Sequence, residues 1–141
     1  MSAQPYTVAA AVAAELVAQF AGEMTVTSKA LPGATLAELA SPLATVVPRT
    51  VEPTQVSRAL VTKDVVIEIG IQQHLDDTDT DTQVAALAAL AEAVLDHLWR
   101  LPLPTLPAAQ FLAAELNPIC DTDLLRSMRV YCGIVRVTYR V

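Results

Sequence analysis

Residues 64–99, DVVIEIGIQQHLDDTDTDTQVAALAALAEAVLDHLW, change their hydrophobic period partway through, and that change decides the fold. Val65, Ile67, Ile69 and Ile71 alternate with Val66, Glu68, Gly70 and Gln72, the two-residue repeat of a strand with one face buried. After the aspartates, Val84, Leu87, Leu90, Val94, Leu95 and Leu98 fall on one helical stripe. A half-buried strand therefore runs through an acidic loop into an amphipathic helix.

The loop raises the one chemical question in the chain. Asp76, Asp77, Asp79 and Asp81 place four carboxylates close together, as a calcium loop would. In the register that starts at Asp77, however, Thr82 takes the position that requires glycine and Ala88 the position that requires a bidentate glutamate. The alternative is a helix start. Thr80 with Gln83 three residues on is a capping box, and aspartates near a helix N-terminus interact favourably with its dipole. The expectation is no metal site and a helix capped by Thr80.

Outward from this stretch, residues 5–21 read as a first helix, with Pro5 in its first turn and Val8, Val12, Leu16 and Phe20 spaced by four. Met24–Ser28 is β-prone, and Thr35–Leu39 is expected to form a single helical turn. Residues 43–51 read as a strand that Pro48 confines to an edge or a bulge. Gln55–Val61 and Val65–Gln72 read as two arms of a hairpin turning at Thr62-Lys63-Asp64. Pro102, Pro104 and Pro107 stop the long helix, which also accounts for the minimal PxxP match. Phe111–Leu116 is a strand, Asn117-Pro118 a turn and Asp121–Ser127 a short helical turn. In Arg129–Val141 the residues Tyr131, Val135, Val137, Tyr139 and Val141 share a face. This order gives one α+β domain over residues 1–141, a mostly antiparallel sheet against an N-terminal helix and a long central helix.

Composition narrows the function classes. A net charge of −6 and a pI near 4.7 oppose nucleic-acid binding through a basic surface. Hydrophobic residues are 53% of the chain and charged ones 17%, which points to apolar surface buried between subunits, tempered by the large share of alanine. Cys120 and Cys132 lack metal or redox spacing and are expected as reduced thiols of a cytosolic environment. The apolar run from residue 8 carries Glu15 and lacks a basic leader, so it is not read as a signal peptide. No apolar run is long enough for a membrane span. His74 and His97 read as solvated histidines, and no nucleophile motif, phosphate loop or zinc motif occurs. No catalytic or cofactor-binding residue is assigned. Trp99, with Arg100, either anchors the proline segment or sits at an interface, while Arg136 and Arg140 share a solvated sheet face or a subunit contact.

Four stretches together carry a resemblance: VAAAVAAELVAQF (8–20), DVVIEIGIQQ (64–73), DTQVAALAALAEAVLDHL (81–98) and AELNPICDTDLLRSMRVYCGIVRVTYRV (114–141). In this layout, and in the turn formed by Glu115, Pro118, Asp121 and Leu124, the chain resembles the tail-completion or tail-terminator proteins of long-tailed bacteriophages. The match is one of layout and hydrophobic pattern over residues 8–141; the LPG and TVVP region and the proline segment depart from it. The resemblance implies a non-enzymatic virion protein assembled in the host cytoplasm, with no catalytic residues and no cofactor. Such a protein forms a ring, a hexamer by expectation, that caps the tail tube, joins it to head-connector proteins and lets DNA pass without specific binding. The interface residues expected from this sequence are Asp76, Asp77, Asp79, Asp81, Trp99, Arg136 and Arg140. The competing reading is a cellular α+β module that binds a ligand or protein without catalysis.

Overall fold

A computed structural model describes residues 4–29, 38–55, 57–76 and 80–141. The elements are α1 (Gln4–Gln19), β1 (Thr25–Ser28), a 3-10 turn (Glu38–Ala40), β2 (Leu43–Gln55), β3 (Val61–His74), α2 (Thr80–Leu98), β4 (Gln110–Leu116), α3 (Thr122–Met128) and β5 (Val130–Arg140). The five strands form one sheet in the order β1-β2-β3-β5-β4, antiparallel throughout except for the short parallel β1–β2 pair. The fold is α+β, as the change of period implies.

Both long helices pack on the same face of this sheet, α1 against β1, β2 and β3, and α2 against β4 and β5. The strand residues that meet them are the alternating set: Ala44 and Val46; Val65, Ile67, Ile69 and Ile71; Tyr131, Val135, Val137 and Tyr139. Opposite them stand Val8, Val12 and Leu16 of α1 and Leu87, Ala91, Val94 and Leu98 of α2. Val84, Leu90 and Leu95 pack at the margin of this core, so the whole predicted stripe of α2 faces inward. The proline segment after α2 is not a bare stop. Leu103 is fully buried, and the Tyr139 hydroxyl donates to the Leu101 carbonyl at 2.9 Å. Burial pushes the Tyr131 and Tyr139 phenols up to about 12, so both are neutral hydrogen-bond donors.

Three sequence expectations need correction. The hairpin does not turn at Thr62-Lys63-Asp64, which pair in register with Thr54, Pro53 and Glu52. The chain reverses instead at residues 57–60, where the Ser57 amide donates to the Leu60 carbonyl at 3.2 Å. Residues 49–61 that are described are all exposed, so this end of the hairpin is an arm projecting past the core. With no buried face there, the sequence loses the alternation that marks a strand.

Second, Thr80 lies in the first turn of α2, while its hydroxyl accepts from Arg129 Nη2 at 3.0 Å. The Gln83 side chain donates to Asp76 Oδ1 at 2.7 Å. These two side chains tie the helix start to Arg129, at the C-terminal end of α3, and to Asp76, two residues past β3; the position before Thr80 lies outside the described residues. Third, His97 is half-buried. Its ring meets Phe20 edge-on at 5.9 Å, and Nε2 lies 3.9 Å from a Glu15 carboxylate oxygen, joining α2 to α1.

Other expectations match closely. Pro48 sits at a register shift between β2 and β3, as its missing amide requires. Asp121 caps α3, accepting from the Leu124 amide at 3.1 Å. Of the turn expected at Thr35–Leu39, residues 35–37 lie outside the described residues, and the helical turn that is described is Glu38–Ala40. Among the described residues, no helix is long and apolar enough to cross a membrane.

Candidate interface on the open sheet face

Because α1 and α2 share one face, the described residues cover the opposite face of the sheet only at one end. There Leu39 of the 3-10 turn and Leu124 of α3 pack on Leu43 and Val130. Beyond this small cluster, three cross-strand rows run over β2, β3 and β5. They are Leu43–Gln72–Cys132, Thr45–Gly70–Ile134 and Val47–Glu68–Arg136.

The middle row lacks a side chain at its centre. A Cβ placed on Gly70 would meet nothing within 4 Å, so the glycine leaves a dent between Thr45 and Ile134. The resulting concavity, about 120 Å³, is lined by Thr45, Val47, Gly70, Gln72, Cys132 and Ile134, with Arg49 and Glu68 at its rim. Thr45 is only 5% exposed, and its hydroxyl has no hydrogen-bond partner among the described residues. A buried hydroxyl without a partner costs roughly 1–3 kcal/mol, so this one favours any group that reaches it.

Charge on this face is arranged in two groups of cross-strand ion pairs. Glu68 accepts from Arg49 Nε at 3.3 Å on one oxygen and from Arg136 Nε at 3.1 Å on the other. Arg136 also reaches Glu115 at 3.5 Å. Arg140 forms a two-pronged pair with Asp64, at 2.8 and 3.1 Å. That hydrogen-bonded arginine holds the Asp64 carboxyl below its usual value. Three arginines thus pair with Glu68, Glu115 and Asp64, and Glu52, directly across from Asp64 in the β2–β3 register, adds a fourth carboxylate to this face.

The site has little capacity for covalent chemistry. The Cys132 thiol accepts from the Gln72 amide at 3.6 Å, and burial pushes its pKa up, which disfavours the thiolate. A carboxamide cannot take a proton from the thiol. Cys120 and Cys132 are both free thiols.

The expected interface residues scatter. Arg136 and Arg140 lie on this open face, engaged by carboxylates of their own chain. Trp99 lies elsewhere, half-exposed beyond the end of α2, with its ring 5.3 Å from Phe111 in an edge contact. It lines a shallow groove with Arg100, Pro102 and Gln110. Asp76 and Asp81 are exposed at the other end of α2; Asp77 and Asp79 lie outside the described residues. The structure therefore does not gather the five that are described into one surface. The residues that sequence reading missed are Thr45, Gly70, Gln72 and Cys132. One signal was available, since a glycine inside a strand marks a close approach or a vacant side-chain position.

For the acidic loop, the expected result is insensitivity to calcium. A site of micromolar affinity would add about 4 kcal/mol at millimolar ion, raising Tm by many degrees. Thermal unfolding with calcium and with a chelator should coincide; a clear calcium-dependent rise would identify a metal site in the aspartate run.

No protein-family model matches the chain, and no curated protein is significantly similar to it.

Proposed function

We propose that this protein is a non-enzymatic assembly subunit of the head–tail junction of a long-tailed bacteriophage. It forms a ring that completes the tail tube and meets the head connector. The observation that carries the reading is the one-sided sheet. Its helices protect one face, while the other presents a dent and a series of cross-strand ion pairs, and the β2–β3 arm projects beyond it with Val51, Leu60 and Val61 exposed. Exposed apolar side chains on a projecting arm are a liability for an isolated chain and an asset for an assembling one. The order of elements supports the phage assignment, since it retains the layout on which the resemblance rests. A predominantly acidic surface also suits a channel through which DNA slides, because like charges repel.

The test uses purified protein added to tail tubes that lack their terminator. Density should appear at the tube tips in electron micrographs, and tube growth should stop. Tubes that remain bare and keep lengthening would remove the junction reading.

A further inference from the structure

We infer that the β2–β3 arm docks on the outward side of helix α2 of a second copy of this chain, with Arg58 and Lys63 meeting Glu92 and Asp96 while Trp99 seats on the arm's apolar face. The inference rests on the assembly reading above and names the contact that the assembly uses.

The arm carries a piece of core face without its helix. Val61, Lys63 and Val65 alternate onto one side of β3, the side that the helices cover in the body of the sheet. Gln55, Pro53 and Val51 stand directly across from them on β2. Val65 is fully buried, whereas its cross-strand neighbour Val51 is 41% exposed and Val61, further out, 56%. Cover therefore ends at this pair, and the apolar side continues outward with Leu60 exposed at the tip. A sheet face of this kind is stabilised by packing against a helix.

Charge says which helix. Residues 49–63 hold Arg49, Arg58 and Lys63 against Glu52 alone, a cationic segment on a chain of net −6. Arg49 is engaged by Glu68, but Arg58 and Lys63 are exposed and have no carboxylate partner among the described residues. The complement lies on α2. Glu92, Asp96 and Trp99 follow at spacings of four and three, so they share one side of the helix, where the Trp99 amide still donates to the Leu95 carbonyl. Both carboxylates are exposed, and neither has a cation partner among the described residues. The Trp99 ring touches Phe111 edge-on and keeps about half of its surface free, as an interface anchor requires.

Each copy thus holds both halves of one contact: two cations around exposed aliphatic side chains, and two carboxylates beside an exposed tryptophan. Arm and helix are different surfaces, so the contact is head-to-tail, the type that closes into a ring when its rotation divides the circle.

Charge exchange tests the pairing at exposed positions, away from the core. One variant reverses the arm (Arg58→Glu with Lys63→Glu), a second reverses the helix (Glu92→Lys with Asp96→Lys), and a third carries all four changes. Association is read by sedimentation velocity from micromolar to millimolar protein, and by the occupancy of tube tips. Wild type should associate, and each reversal should weaken association by at least about tenfold, as two attractive pairs become repulsive. The four-site exchange should associate within about threefold of wild type. An equimolar mixture of the two reversed variants should associate although neither does so alone, because every arm again finds a helix of opposite charge. Trp99→Ala should weaken association by at least about tenfold. The charge variants should melt close to the wild-type temperature.

If wild type assembles in solution or at tube ends and both reversals assemble equally well, the inference is overturned. It is overturned too if the reversals fail and neither the mixture nor the four-site exchange recovers, which would assign the arm to a different acidic partner. A wild type that stays a single copy in both settings has the same consequence. Tubes capped equally by wild type and reversals would leave the junction reading standing while removing this contact. Association in solution that the exchange restores, with tubes left bare, would do the reverse.

Discussion

Replacing Ile69 by alanine should destabilise the protein by about 2–5 kcal/mol, the usual cost of truncating a fully buried isoleucine. Ile69 is fully buried in β3, the middle strand of the sheet, with Val46 beside it on β2 and Val135 on β5. Strand β3 lies between the strands that carry α1 and those that carry α2, so a hole there is bounded by strands on both sides. Those ladders limit collapse of the cavity, which favours the upper part of the range. Lys63→Ala, at an exposed position of the same strand, should change stability by less than about 0.5 kcal/mol. Urea unfolding monitored by circular dichroism gives both values. Equal midpoints for Ile69→Ala and wild type would mean that the alternation has been assigned to the wrong face.

The second large effect separates two glycines that look alike in sequence. Gly133 lies beneath the Tyr131 ring, and a Cβ there would stand 2.6 Å from the phenol oxygen and 2.7 Å from the Ile119 carbonyl. Those two atoms are hydrogen-bonded to each other, the hydroxyl donating. Gly133→Ala must displace one of them, combining overpacking with the loss of a buried hydrogen bond. The expected cost is on the order of 3 kcal/mol. Gly70→Ala meets nothing, and should be neutral or stabilising by up to about 1 kcal/mol, since alanine loses less backbone freedom. Comparable losses for both variants would show that strand glycines are needed here for their backbone, not for the space they leave.

The difference between these glycines marks where sequence reading works. The alternation of β3 and the stripe of α2 are local patterns with one buried face, so the residues announce their own period. Pro48 announces its bulge because it lacks an amide. The projecting arm gives no such signal. Thr62, Lys63 and Asp64 read as a turn because polar residues cluster there, yet a strand pair with no buried side is free to be polar throughout. The candidate site was illegible for a different reason. Its middle row joins Thr45, Gly70 and Ile134, which are remote in sequence and adjacent only through strand register. Arg136 and Arg140 were recognised as sharing a face, but their partners Glu68 and Asp64 come from another strand. His97 was misjudged for the same reason, since Phe20 and Glu15 reach it from a helix most of a chain length away.

The position of β5 bears on how the protein comes into being during translation. The last strand of the chain inserts between β3 and β4, not at a margin. Until Arg140 has left the ribosome, β3 offers a bare hydrogen-bonding edge and β4 has nothing to pair with. The half-core formed by α1 and the first three strands lacks Tyr131, Val135, Val137 and Tyr139, the residues that α2 covers. Such a nascent chain cannot complete its sheet progressively; it must wait, with apolar strands exposed, for β5. Synthesis rate and chaperone supply should therefore govern its soluble yield, and premature release of the chain anywhere within β5 should deliver it to aggregates.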